Sequence, residues 1–268
     1  MSVRTYNPSV RVGNWNEDIA LEEDIVKDFL AKKDNGELMV QKTHNLLQTI
    51  LKPLPLPDSP DGNLRFGDKV CIHHVPTKSL VSAYMSTFAA HEATCLQPSS
   101  PVASSQSLVP CTRNIFVVNS YDKQVNVGDV VRYGEKVTLS TLADGVGGGL
   151  YLHSATATFM KCAKHSRQQE VLLMDTITYD VAWRFLCFDP NERLETEGEP
   201  VPVNKKLFVN HCKTNQHLAA LEEFGHKTPF GREYEVTATT KLNSHKAEEP
   251  ANHFAVVMGN PAEVADSF

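Results

Sequence analysis

Three markers return along this chain at nearly one interval, and a chain that repeats itself three times can close about a threefold axis. The first is a charged turn leading into an apolar residue. It appears as FGDKVCI around Val70, YGEKVTL around Val137 and VNKKLFV around Leu207, spaced by 67 and 70 residues. The second is a strand built around one aromatic: Phe116 in NIFVVNS, Trp183 in VAWRFLC and Phe254 in NHFAVVM, spaced by 67 and 71. From the first marker to its aromatic the gap is 46, 46 and 47 residues. A third marker lies between them, Leu80, Leu150 and Leu218, each followed by residues that alternate as on a strand. Short runs of this kind between turn residues make each unit all-β. The expected fold is mainly β, a β-trefoil-like barrel over 63–261, with repeats at about 63–122, 123–197 and 198–261. These units are long, so they must carry extended hairpins or loops. QPSSPVASSQSLVP, Gln97 to Pro110, has the composition of such a loop.

The N-terminal quarter reads differently. Residues 1–16 form an extended arm, with Val10 and Val12 alternating around Arg11. An amphipathic helix is expected over 17–35. Leu21, Ile25 and Phe29 recur four apart, with Val26 and Leu30 beside them, and this stripe should bury against the barrel or a neighbour. Asn16 is the expected N-cap. Acids fill the first turns, Lys32 and Lys33 the last, and Asn35-Gly36 stops the helix. Residues 36–62 are a connector: an apolar stretch over 38–51 fits either helix or strand, and the Pro-rich PLPLPDSPDG from Pro53 marks the edge of the main domain. Residues 262–268 are a tail.

Bulk properties exclude several classes. A chain of 268 residues buries enough surface to need no disulfide staples. With net charge −6 and no block of lysine and arginine, it offers no nucleic-acid groove. No run is apolar enough to span a membrane, and no secretion pattern opens the chain. Six cysteines, at 71, 95, 111, 162, 187 and 212, form no C-x-x-C pair and read as reduced thiols in a cytosolic setting.

No motif carries catalysis. Cys71, His73, His74 and His91 crowd together, with His211-Cys212 at the matching place in the third unit. Adjacent His73 and His74 face opposite ways on a strand, however, and no pair has zinc-finger spacing. ADGVGGGLYL lacks the lysine and hydroxyl of a phosphate loop and reads as a hairpin insertion. There is no G-x-S-x-G elbow. The acids Glu17, Asp18, Glu22, Glu23, Asp24 and Asp28 share one side of a helix, as a solvated face or a docking surface toward a basic partner does. A glycosidase pair would have to face across a cleft. Trp15, ahead of the helix, is either a clasp on its own domain or an anchor on a partner. No metal or cofactor is expected.

Three stretches carry a resemblance: RVGNWNEDIALEEDIVKDFL, LRFGDKV, and EGEPVPVNKKLFVNHCKTNQHLAAL followed by NHFAVVMGNP. In order, and from about Val10 to Pro261, they resemble the cilia- and flagella-associated protein 161 family. That resemblance implies MIR-like β-trefoil repeats and a non-enzymatic, structural role as a microtubule inner protein of the cytoskeleton. The setting is the lumen of ciliary and flagellar doublet microtubules, the axoneme on which motility depends. Its partners would be α/β-tubulin and other microtubule inner proteins, with neither nucleic acid nor membrane. The partner-binding residues expected at the start of the arm and helix are Asn14, Trp15, Asn16, Glu17, Asp18, Glu22 and Glu23. Stretches 86–112 and 143–168 depart from the family pattern. The alternative is a cytosolic ligand- or protein-binding trefoil unconnected with microtubules.

Overall fold

The computed structural model describes residues 15–85, 96–122, 126–142, 149–228 and 230–266. Residues 1–14 of the expected extended arm, Asn14 among them, with His91, Cys95 and residues 143–148 of the glycine-rich stretch, lie outside them. The chain divides into two compact units, Met1–Asn45 and Leu46–Phe268.

In the larger unit the repeat markers become strand partners. Each repeat supplies four strands: β1 Lys69–His74, β2 Ser79–Ala83, β3 Ser100–Ser105 and β4 Ile115–Ser120; β5 Val137–Thr141, β6 Tyr151–His153, β7 Leu172–Met174 and β8 Trp183–Cys187; β9 Lys206–His211, β10 Leu218–Thr228, β11 Gly231–Ala238 and β12 Phe254–Val257. Within each repeat the first and fourth strands pair, and the registers are Val70 with Phe116, Val137 with Trp183 and Leu207 with Phe254. Between repeats β4 pairs β5, β8 pairs β9 and β12 pairs β1, so six strands close into a barrel without an edge. The second and third strands of each repeat form a hairpin. The three hairpins meet in a triangular cap through β11–β3, β3–β7 and the bridge from Glu170 to Thr237. This is a β-trefoil.

Period-two alternation explains the core. Every barrel strand sends two side chains inward: Val70 and Ile72, Phe116 and Val118, Val137 and Leu139, and their counterparts Trp183 and Phe185, Leu207 and Val209, Phe254 and Val256, all buried in one cluster. A second layer closes the bottom. Leu64 N–H donates to Val201 O, Val201 N–H to Val131 O, and Val131 N–H to Leu64 O, at 2.8–2.9 Å, a cyclic triad with one member per repeat. The turn chemistry repeats too. Asp68 accepts from the Arg65 amide and Glu135 from the Arg132 amide, while both arginines donate to a glycine carbonyl, Gly128 or Gly198, at 2.7 Å.

Four sequence readings are corrected or sharpened by the structure. The third marker slips by one residue in the first repeat: Val81, not Leu80, joins Leu150 and Leu218 in the barrel core, while Leu80 faces a smaller cluster with Leu56, Cys71 and Ile115. A one-residue step moves a side chain to the other face. The expected loop at 97–110 contains β3, the strand shared by all three hairpins of the cap. Its serines and Pro101 belong to a strand because the pairings with β2, β7 and β11 outweigh their propensity. The stretch 38–51 is a helix, α2 Met39–Ile50. The Pro-rich segment is tied down along its length. Pro53 bridges Cys111, Leu54 N–H donates to Pro110 O and Gly259 N–H to Pro57 O, and the compact unit begins before it, at Leu46. A short helix, α3 Pro261–Ala265, ends the described chain; Asn260 caps it, accepting from the Ala262 amide.

Candidate partner-binding surface

The helix expected over 17–35 is α1, Trp15–Asp34. Its C-terminus follows from the sequence. Gly36 takes a left-handed φ of +73°, Glu37 N–H donates to Lys32 O at 2.8 Å and Gly36 N–H to Lys33 O at 3.2 Å, the Schellman arrangement that satisfies the last carbonyls. Gln41 Nε2 adds a 3.0 Å bond to Lys33 O.

The N-terminus differs from expectation. Trp15 is the first described residue of the helix rather than lying ahead of it, and Asn16 lies inside the helix rather than capping it. Helical backbone at 15–18 carries Trp15, Asn16, Glu17 and Asp18 on the first turn, where the unpaired amides of a helix favour acids. Glu22 and Glu23 lie one turn on, exposed. Lys27 pairs with Glu23 at 3.7 Å and Asp24 at 3.5 Å, and Lys32 with Asp28 at 2.7 Å, all on solvated side chains. Such exposed pairs add little to the helix.

The aliphatic stripe is the most exposed apolar feature of α1. Leu21, Ile25, Val26, Phe29 and Leu30 keep 47–54% of their surface exposed, and Ile19 53%. The sequence expects burial against the barrel or a neighbour. An apolar stripe on one helix face is removed from water only by a second element of matching shape, and this one stays open to solvent.

The histidine and cysteine cluster is structural. Cys71, His73 and His74 are buried in β1, and burial pushes the Cys71 thiol up and both imidazoles down to about 4. His74 and His211 sit in matching cages. Each Nδ1 accepts from a threonine three residues on, Thr77 at 2.7 Å or Thr214 at 2.8 Å. Each Nε2 donates to a backbone carbonyl, Pro250 at 3.2 Å or Asp180 at 3.1 Å. Each ring packs 4.9 Å from the aromatic opposite it, Phe254 or Trp183. The cage repeats because its ingredients repeat; in the second repeat Thr141 takes the place opposite Phe116. Among the described residues no group of three histidine, cysteine or acidic side chains is placed to hold a metal ion.

The sequence reading missed one surface feature: Phe159 and Met160 are 92% and 87% exposed on the loop before β7. A phenylalanine-methionine pair followed by Lys161 and Lys164 was the available signal.

The closed six-stranded barrel with its triangular cap makes this a β-trefoil protein. Solved structures agree on the fold. The SDF2-like protein from Arabidopsis thaliana superposes with TM-score 0.54 at 15% identity, over 73% of this chain and 94% of that one. The protein O-mannosyltransferase complex of S. cerevisiae gives 0.53 at 15% identity, over 76% of this chain and 26% of that one. Sequence is more specific. Residues 42–259 match the model of the cilia- and flagella-associated protein 161-like domain. Proteins named cilia- and flagella-associated protein 161 are 44% identical in Danio rerio, over 99% of this chain and 92% of theirs, and 39% identical in Bos taurus, over 97% and 84%. The chain belongs to the cilia- and flagella-associated protein 161 family.

Proposed function

We propose that this protein is a structural microtubule inner protein, bound to tubulin and to neighbouring proteins on the luminal wall of ciliary and flagellar doublet microtubules, and that it is not an enzyme. The supporting observation is α1: six large apolar side chains at 47–54% exposure on a capped, ion-paired helix in a chain of this family. Covering the exposed half of each would contribute up to about 1 kcal/mol per side chain, enough together to hold the helix on a partner. Trp15 and the acids Glu17, Asp18, Glu22 and Glu23 adjoin that stripe in sequence, and with Asn14 and Asn16 they form the proposed contact. A rigid barrel attached to such a helix gains avidity from two weak contacts made at once.

The test is incorporation into axonemes. Trp15→Ala, and separately Ile25→Gln with Phe29→Gln, should lower the amount retained on salt-washed doublets, while the melting temperature of the isolated protein stays unchanged. Release of the wild-type protein with the soluble matrix at low salt would overturn the reading in favour of a module unconnected with microtubules.

A further inference from the structure

Where the three hairpins converge, the cap encloses a cavity of about 410 Å³. Its floor is apolar: Pro101 and Val102 from β3, Ala163, Val171 and Leu172 from the second repeat, and Val236 from β11. Aromatic rings form one wall. His226 stacks on His165 at 5.5 Å and meets the edge of Tyr84 at 5.3 Å. The volume falls within the range of about 300–1,000 Å³ typical of ligand pockets. Two carboxylates also line it. Glu235 is committed, accepting from the His165 amide at 2.9 Å and the Ser166 amide at 2.8 Å; burial raises the Glu170 carboxyl toward its neutral form.

The rim carries the second observation. The loop that supplies Cys162 to His165 to the cavity also carries Phe159 and Met160, almost wholly exposed. It holds Lys161, Lys164 and Arg167, all exposed, and no acid from Ser154 to Gln169, in a chain of net charge −6. The loop is held in shape. Besides the Glu235 bonds, Ala163 N–H donates to Gln168 O at 2.9 Å, Arg167 N–H to Ala163 O at 3.2 Å, and Thr158 N–H to Lys161 O at 2.8 Å. Holding two large apolar side chains in water on an ordered loop costs free energy that a covering partner recovers, with little entropy left to lose on binding.

We infer that this cavity and its rim form a docking site for a protein segment carrying a large apolar side chain among acidic residues. The apolar side chain enters the cavity, and the flanking acids meet Lys161, Lys164 and Arg167. A small molecule confined to the cavity would leave Phe159 and Met160 uncovered; a polypeptide lying across the rim covers them. The site lies wholly within the barrel unit and does not depend on the role proposed for α1.

A fluorescein-labelled peptide with one phenylalanine inside a run of glutamates, titrated with the full chain and read by anisotropy, tests this. Saturable binding is expected, weakening as salt rises. Replacing the peptide's phenylalanine by alanine should weaken it about tenfold. Lys161→Glu, Lys164→Glu and Arg167→Glu together should weaken it roughly tenfold or more at an unchanged melting temperature. Phe159→Ser with Met160→Ser should weaken it severalfold. No saturable binding, equal binding of the two peptides, or binding to anionic lipid vesicles in place of the peptide would overturn the inference.

Discussion

Acid should loosen this barrel well before its carboxylates are neutralised. His73 and His74 are 0% and 1% exposed in β1, and burial depresses both imidazoles to about 4, helped at His73 by the charge of Lys78 and opposed at His74 by its bond to the Pro250 carbonyl. In the unfolded chain each titrates near 6.5. The native state therefore binds fewer protons than the unfolded one between these values. The stability held by keeping each ring neutral is complete above about pH 6.5 and falls as pH drops toward 4. Between pH 7 and pH 5 the linkage amounts to about 2 kcal/mol per histidine, so about 4 kcal/mol for the two. That is a large share of a net stability of roughly 5–15 kcal/mol. Burial also lowers His153, His211, His217 and His253, each acting in the same direction, at His217 against the pull of Glu248 3.6 Å away. Asp61 and Asp266, whose carboxyls are held down by Arg65 and Lys78, titrate below this window. Urea unfolding followed by circular dichroism at pH 7, 6 and 5 should show a falling midpoint. His74→Gln keeps a donor and an acceptor without titrating and should remove about half of the share assigned to the pair. A midpoint flat from pH 7 to 5, or a His74→Gln protein with the full slope, would refute the reasoning.

Two further perturbations probe the barrel unit. Arg113 and Glu233 form a buried ion pair, 2% and 0% exposed, with the guanidinium 3.9 Å over the Phe230 ring. Glu233→Ala strands a buried charge and should cost about 3–5 kcal/mol in urea melts, whereas Arg113→Met with Glu233→Leu should be close to neutral; equal losses in the two proteins would contradict this. Gly259 has φ +78°, a backbone that alanine adopts only under strain, and a β-carbon there would also push aside the exposed Asp58 carboxylate of the Pro-rich strap, so Gly259→Ala should lower the melting temperature by an amount equivalent to about 1–3 kcal/mol. Asp58→Ala in the same chain should recover only the steric part, because the left-handed backbone remains.

Periodicity carried the barrel in the sequence because barrel strands must bury alternate residues in each of three equivalent places. Val70, Val137, Leu207 and their aromatic partners therefore had to recur. The α1 stop signal was legible for a similar reason: few residues other than glycine take the left-handed backbone of Gly36 without cost. The cap was harder to read. β3 is written in serine, proline and alanine, and becomes a strand only through three neighbours distant in sequence. Likewise nothing in PLPLPDSPDG announces that Pro110 and Gly259 will hold it down. The proposed contacts were half legible. The helix, its acids and its aliphatic stripe could be read directly. Exposure of that stripe could not, because a pattern of apolar residues records which face avoids water but not what covers it. Phe159 and Met160 escaped notice because two apolar residues in a turn-rich stretch carry no period.

The cycle of strand pairings runs back to its start: the barrel is completed when Cys71 meets Val257 and His74 meets Phe254, joining the first and last of its strands. Synthesis proceeds from the other direction. Until the last strand, β12, has left the ribosome, β1 and β9 both present open edges, and the apolar layer behind Val70 and Leu207 has no lid. A nascent chain of this kind cannot finish folding domain by domain as it emerges. A chain that ends just before Phe254 lacks β12 and leaves β1 and β9 unpaired, an open barrel rather than a shorter working one.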